Sequence, residues 1–211
     1  MSTQESSDDA PTATNDFLFV GGDPSIDLVN TEMMVSGELV DRIDSPSRLA
    51  AWLAESELGD LLGEATAEEL DIPRPVFAEV VALRGALRAG FDEIAGGRGL
   101  PASTLEAINA ALREGPGSRL QVGTLGRLER VNRVDILEQP AWLPWLIADA
   151  AADLLSSPAA DLLRRCAGQV CVLFFVDTSR NHSRRWCSME LCGNRSKVSA
   201  HHHRTRIAPE R

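Results

Sequence analysis

The sequence predicts an α+β protein. A mainly helical N-terminal domain with short β elements spans residues 17–155, and a small four-cysteine module spans 160–206. Three observations carry that expectation. Apolar residues recur at three- and four-residue steps along several stretches, as the buried face of a helix requires. Short apolar runs bounded by glycine or proline supply the β elements. All four cysteines fall near the C-terminus as two C-x4-C pairs, Cys166/Cys171 and Cys187/Cys192, separated by fifteen residues.

Residues 1–16 are polar and acidic, lack an apolar signal-peptide segment and read as a disordered leader. Residues 17–22 read as a short apolar strand ending in a Gly-Gly turn, and residues 25–31 fit either a strand or the start of a helix. Asp44, Ser45 and Pro46 supply an N-cap and an early-turn proline for an amphipathic helix over 48–54. The longest helical pattern is 73–96, in which Val76, Val80, Leu83, Leu87, Phe91 and Ile94 recur every three or four residues. A further helix is expected over 103–113, before Gly115, Pro116 and Gly117. Residues 119–122 and 128–134 alternate around Gly123–Gly126 like a β-hairpin. A helix over 140–155 and a short one over 159–165 deliver the chain to Cys166. Trp52, Trp142 and Trp145 lie on these helices and are expected in the core rather than at a ligand.

With 211 residues and 44% hydrophobic content the chain can bury a substantial core. Its longest purely apolar run, 170–176, is far too short to cross a membrane. The expectation is a cytoplasmic protein without a membrane partner. The net charge of −10 conceals a division. Residues 1–161 hold 28 Asp/Glu against 11 Lys/Arg, whereas residues 162–211 hold 3 against 10. An acidic chain does not suggest a nucleic-acid partner, but its last fifty residues do.

Paired cysteines at this spacing are the usual way to hold one tetrahedral Zn2+, because each short loop presents two thiolates to the same ion. Disulfides and unrelated buried thiols are the alternatives, and a reducing compartment disfavours the first. The metallated module remains basic after the tetrathiolate-zinc charge is counted. Four cysteines close the coordination sphere, so the metal is expected to be structural rather than catalytic. No P-loop and no nucleophile–base set emerges, and the chain is not expected to be an enzyme. Asp27, Asn30 and Glu32 could line a pocket, but structural hydrogen bonding is the simpler reading. Within the module, a first knuckle leads to a strand at 172–176, a polar turn at 177–183 and a return strand at 184–186. Ser188 then caps a helix running to about residue 204, with Cys192 one turn in. Knuckle, hairpin and ligand-bearing helix describe a treble-clef-like site.

Trp186–Met189, with Cys192, Gly193, Asn194, Arg195 and Lys197, resembles the CGNR zinc finger of bacterial transcription regulators. Asp177, Ser179, Arg180, Asn181, Arg184 and Arg185 fit the same pattern. Residues 21–22, 27–31 and 52–53 resemble the ABATE domain that usually precedes it. The first knuckle, with Ala167, Gly168, Gln169 and Val170, is less polar than is typical, and His201–His203 is unusual. The resemblance implies a stress-related, zinc-containing regulator that binds DNA. Arg180, Arg184, Arg185, Asn194, Arg195, Lys197, Arg204 and Arg206 are the candidate nucleic-acid contacts. On a helix, Arg195 and Arg206 share one face, and Asn194, Lys197 and Arg204 form the adjacent stripe. Arg180 and Arg195 have an alternative role bracing carbonyls within the finger. The rival reading is a protein- or small-ligand-binding module in which zinc only staples the fold. Under the first reading the N-terminal domain is the expected place for a small-molecule effector or for homo-oligomer contacts; under the rival, residues 17–155 carry the partner binding.

Overall fold

The computed structural model describes residues 17–113, 115–116, 118–123, 126–132 and 136–197. The expected leader, His201–His203, Arg204 and Arg206 lie outside these residues. Helix α1, Pro24–Val29, resolves the ambiguity at 25–31. Asp23 caps it, accepting from the Ser25 amide at 2.8 Å, and Pro24 presets its first turn. A hairpin follows that periodicity does not announce. Strands β1, Glu32–Val35, and β2, Glu38–Asp41, pair antiparallel around Ser36-Gly37. Both turn residues have positive φ, 52° and 93°, the backbone twist that suits a two-residue hairpin.

Helix α2, Pro46–Glu55, starts at Ser45, whose hydroxyl accepts from the Arg48 amide. Helix α3, Arg74–Ala95, is the spine of the domain, burying Val76, Val80, Leu83, Leu87 and Phe91 on one face. It packs against α1, helix α4 (Ala102–Leu112) and helix α5 (Leu143–Leu155). Burying each such large side chain contributes about 1.5–3 kcal/mol relative to exposure. Between α4 and α5 stands the expected hairpin, β3 (Ser118–Val122) against β4 (Leu128–Asn132). Trp52 and Trp145 are buried and Trp142 is half-buried.

Three local expectations are corrected. Residues 17–22 form no ladder; their backbone groups serve single tertiary contacts instead. Residues 158–162 form a 3-10 turn, after which β5, Leu163–Arg165, is a strand rather than the end of a helix. Its partner is β6, Phe174–Val176, the core of the strand expected at 172–176. The return strand expected at 184–186 does not form. The Arg184 amide donates to Asp177 Oδ2 at 3.0 Å, and Arg184 Nε donates to the Trp186 carbonyl, so side chains satisfy groups a ladder would need.

Strand β6 has β5 on one edge and the N-terminal segments on the other. Along that second edge, Arg88 Nη1 donates to the Val172 carbonyl at 3.2 Å. Asn30 accepts from the Phe174 amide at 2.8 Å and donates to its carbonyl at 2.9 Å. The Val176 amide donates to the Gly21 carbonyl at 2.8 Å. Residues 172, 174 and 176 are thus served in alternation, as a neighbouring strand would serve them. Phe174 also meets Phe91 of α3 edge-on, with ring centroids 6.2 Å apart. The four-cysteine module is thereby fixed to the helical core.

Candidate metal centre

The N-terminal knuckle grows out of β5 and returns into β6. Cys166 donates its amide to the Leu173 carbonyl at 2.9 Å, and the Cys171 amide donates to the Gly168 carbonyl at 3.0 Å. A side chain at Gly168 would place its Cβ 2.9 Å from Cys171 Cβ and 3.4 Å from Cys192 Sγ. Glycine there lets the knuckle close over the sulfurs. The second pair is delivered by Ser188, whose hydroxyl accepts from the Glu190 and Leu191 amides. The segment it caps opens as a wide π-type turn, Met189–Gly193, and continues as helix over 194–197. Gly193 is packed closely too: a Cβ would stand 2.7 Å from Met189 Sδ and 3.4 Å from Trp186 Cδ1.

The four cysteine sulfurs lie within 4.8 Å of one another, with Cys187 Sγ 3.6 Å from Cys192 Sγ and 3.9 Å from Cys171 Sγ. Tetrahedral zinc–sulfur bonds of about 2.3 Å put neighbouring sulfurs about 3.8 Å apart. Disulfide sulfurs would stand at about 2.05 Å, and all four thiols are free. The donor set fits one structural Zn2+. Among the four thiols, hydrogen bonds from Cys171 and Cys187 hold Cys166 far below its ordinary value. The same contacts, with burial, push Cys171 and Cys187 up. A divalent cation displaces those protons and converts the set to thiolates. His182 stands apart from the cluster, at a positive φ of 46°, with Nδ1 3.2 Å from the Asp177 carbonyl.

Asp177 organises the polar turn. Its Oδ1 accepts from the Ser179 amide and hydroxyl, and its Oδ2 accepts from the Arg184 amide. The hydrogen bond from the Ser179 hydroxyl, aided by the others, holds its carboxyl below the usual carboxylate range. Arg184, grouped from sequence with the nucleic-acid contacts, is turned inward. Its guanidinium donates to the Trp186, Val20 and Cys187 carbonyls and stacks 4.3 Å from the Phe175 ring centroid. Arg184 is a brace in this structure. Arg195 is divided: Nε donates to the Leu191 carbonyl at 2.7 Å, while the side chain remains exposed. Arg180, Arg185, Asn194 and Lys197 are exposed, and Arg185 lies 5.2 Å over the Trp186 ring.

Asp27, Asn30 and Glu32 line no common site. Asp27 accepts from the Gly21 amide at 2.7 Å, and burial pushes its carboxyl up to about 7. Asn30 clamps β6, and Glu32 Oε2 lies 2.5 Å from Arg88 Nε. Sequence reasoning missed Arg84 and Arg88. Arg84 binds Asp41 with both Nη atoms, at 2.7 and 2.5 Å, and reaches Thr31 Oγ1 at 2.9 Å. Glu32 and Asp41 stand opposite each other in the β1–β2 register, and Arg84 offsets that like-charge pairing. The available signal was two arginines one turn apart beside an apolar stripe.

A groove of about 720 Å3 runs between β1, the first knuckle and the 189–197 segment. No helix among the described residues is long and apolar enough to cross a membrane.

Comparison with known proteins agrees with this geometry. No curated protein matches the chain. The family model ABATE, described as "Putative stress-induced transcription regulator", matches residues 22–158, and the CGNR zinc finger model matches residues 163–205. The chain belongs to the ABATE family and carries a CGNR zinc finger at its C-terminal end.

Proposed function

We propose that this protein is a non-enzymatic, stress-responsive transcription regulator whose zinc finger contacts duplex DNA. The observation that carries the reading is an exposed set of cations on the zinc-held segments, Arg180, Arg185, Arg195 and Lys197, within an otherwise acidic chain. Arg204 and Arg206, outside the described residues, belong to the same basic stretch. Arginine and lysine on phosphates supply affinity, and Asn194 and Arg195 are the residue types that read base edges. Arg184 acts instead through the finger, tying Cys187 to Val20 through their carbonyls. The metal is the scaffold for this surface, since a sphere closed by four thiolates offers no position for substrate or water. The family description supports the regulatory and stress-related parts of the reading.

Titration of zinc-loaded protein into labelled duplex DNA tests it. Binding is expected at low salt, and the double substitution Arg195→Ala plus Lys197→Ala is expected to weaken it at least tenfold with zinc content retained. Unchanged affinity in that variant would remove the segment from the interface.

A further inference from the structure

We propose that the groove beside the metal centre is a ligand site for an apolar carboxylic acid. It is lined on one side by Leu18, Met33 and Val35, and on the other by Trp186 and Leu191. Its volume of about 720 Å3 falls in the range of small-molecule sites, about 300–1,000 Å3. The walls come from both parts of the chain, which places a ligand against the N-terminal hairpin and the finger together.

Arg195 sets the class of the ligand, and the charge of the metal site its orientation. Cys171, Cys187 and Cys192 also line the groove, and a zinc tetrathiolate carries a formal charge of about −2. An anionic head is repelled from that side, and a neutral apolar tail is not. Arg195, another lining residue, is exposed. Its Nε is fixed on the Leu191 carbonyl, and neither Nη atom bonds another described residue. A guanidinium anchored in this way presents a fork matched to a carboxylate. A cationic head would be drawn to the thiolates, so the choice of an anion rests on the Arg195 fork and not on the charge of the metal site. The geometry therefore favours tail toward the thiolates and carboxylate on Arg195. Because Arg195 is also in the DNA surface proposed above, a bound acid withdraws it from phosphate; that consequence rests on the DNA reading, while the ligand site does not.

The test uses the zinc-loaded full chain and a fluorescent probe, 11-(dansylamino)undecanoic acid, with its methyl ester as the neutral control and no DNA present. The acid is expected to give saturable, blue-shifted emission at one site per chain. Arg195→Gln is expected to weaken the acid at least tenfold and leave the ester unchanged. Val35→Trp fills the groove, Met34→Glu puts a charge on its wall, and each is expected to abolish binding of both probes with zinc content retained. Absence of saturable binding overturns the proposal. So does equal binding of acid and ester with no effect of Arg195→Gln, which would make the groove a site for neutral apolar molecules. Failure of DNA binding leaves these outcomes unaffected.

Discussion

Replacing Asn30 by alanine removes the one side chain that satisfies both backbone groups of Phe174. Asn30 is fully buried, and Phe174 is 1% exposed, so water does not replace the lost partners. Each buried backbone group left without a hydrogen bond costs about 1–3 kcal/mol. Two such groups give a destabilisation of roughly 2–6 kcal/mol, before any cost for the volume removed. Asn30→Asp keeps an acceptor for the Phe174 amide but sets a carboxylate against the Phe174 carbonyl, and its loss is expected to be at least as large. Urea unfolding of zinc-loaded protein, followed by tryptophan fluorescence, measures both. Competition with a chromophoric chelator supplies a second readout, because Phe174 lies three residues beyond Cys171. The variants should surrender zinc at lower chelator concentration than the parent chain. A destabilisation below about 1 kcal/mol for Asn30→Ala would refute the view that this clamp substitutes for a strand.

Arg84→Ala should destabilise by about 3 kcal/mol, near the low end for a broken buried ion pair because Asp41 and Glu32 keep 37% and 26% of their side-chain exposure; denaturant titration checks it, and Arg84→Lys, which lacks the fork, should recover only part of the loss. Burial raises the Asp27 carboxyl from the ordinary 3.8 to about 7, so its contribution is full below pH 4 and is lost as pH rises towards and through 7. Asp27→Asn keeps an acceptor for Gly21 and should flatten that dependence, most visibly as a gain in stability at pH 7–8 read by thermal unfolding; an unchanged pH profile would contradict it. Chelation of zinc, or Cys192→Ser, should loosen the cluster of Met33, Leu173 and Phe175 that packs on the cysteines while leaving the α3-centred core folded. Hydrogen exchange would then show lost protection at 163–197 and at the β1–β2 hairpin, with α3 and α5 retained.

Legibility in the sequence followed the range of the interactions. The α3 stripe was legible because one face of a long helix repeats the same choice from Val76 to Phe91. The metal centre was legible because two short loops carry all four ligands, and thiolate chemistry leaves few alternatives. The hairpin at 32–41 was not, since its pattern is short and its turn uses Ser36 at positive φ rather than the usual Asn-Gly or Gly-Gly. Strand β5 was misread because the contact that makes it a strand lies across the knuckle, in β6. Arg184 illustrates the same limit at the site. Its residue type suggested phosphate, and only the fold reveals the carbonyls of Val20, Trp186 and Cys187 around it. Arg84 and Arg88 stand beside an apolar stripe, where sequence alone does not distinguish a solvated side chain from one paired with carboxylates, as Arg84 is with Asp41, or with backbone carbonyls, as Arg88 is. For Asn30 the structural hydrogen bonding read from sequence is found, and only its partner, Phe174, was not legible.

The most direct test of the regulatory reading is the salt dependence of binding between zinc-loaded protein and duplex DNA. Each phosphate neutralised contributes about −0.9 to the slope of log affinity against log salt concentration. Four exposed cations, Arg180, Arg185, Arg195 and Lys197, predict a slope of about −3.6, and about −5.4 when Arg204 and Arg206 join them; chelation of zinc should abolish it together with binding. A slope near zero, or affinity unchanged by removing the metal, would contradict the account.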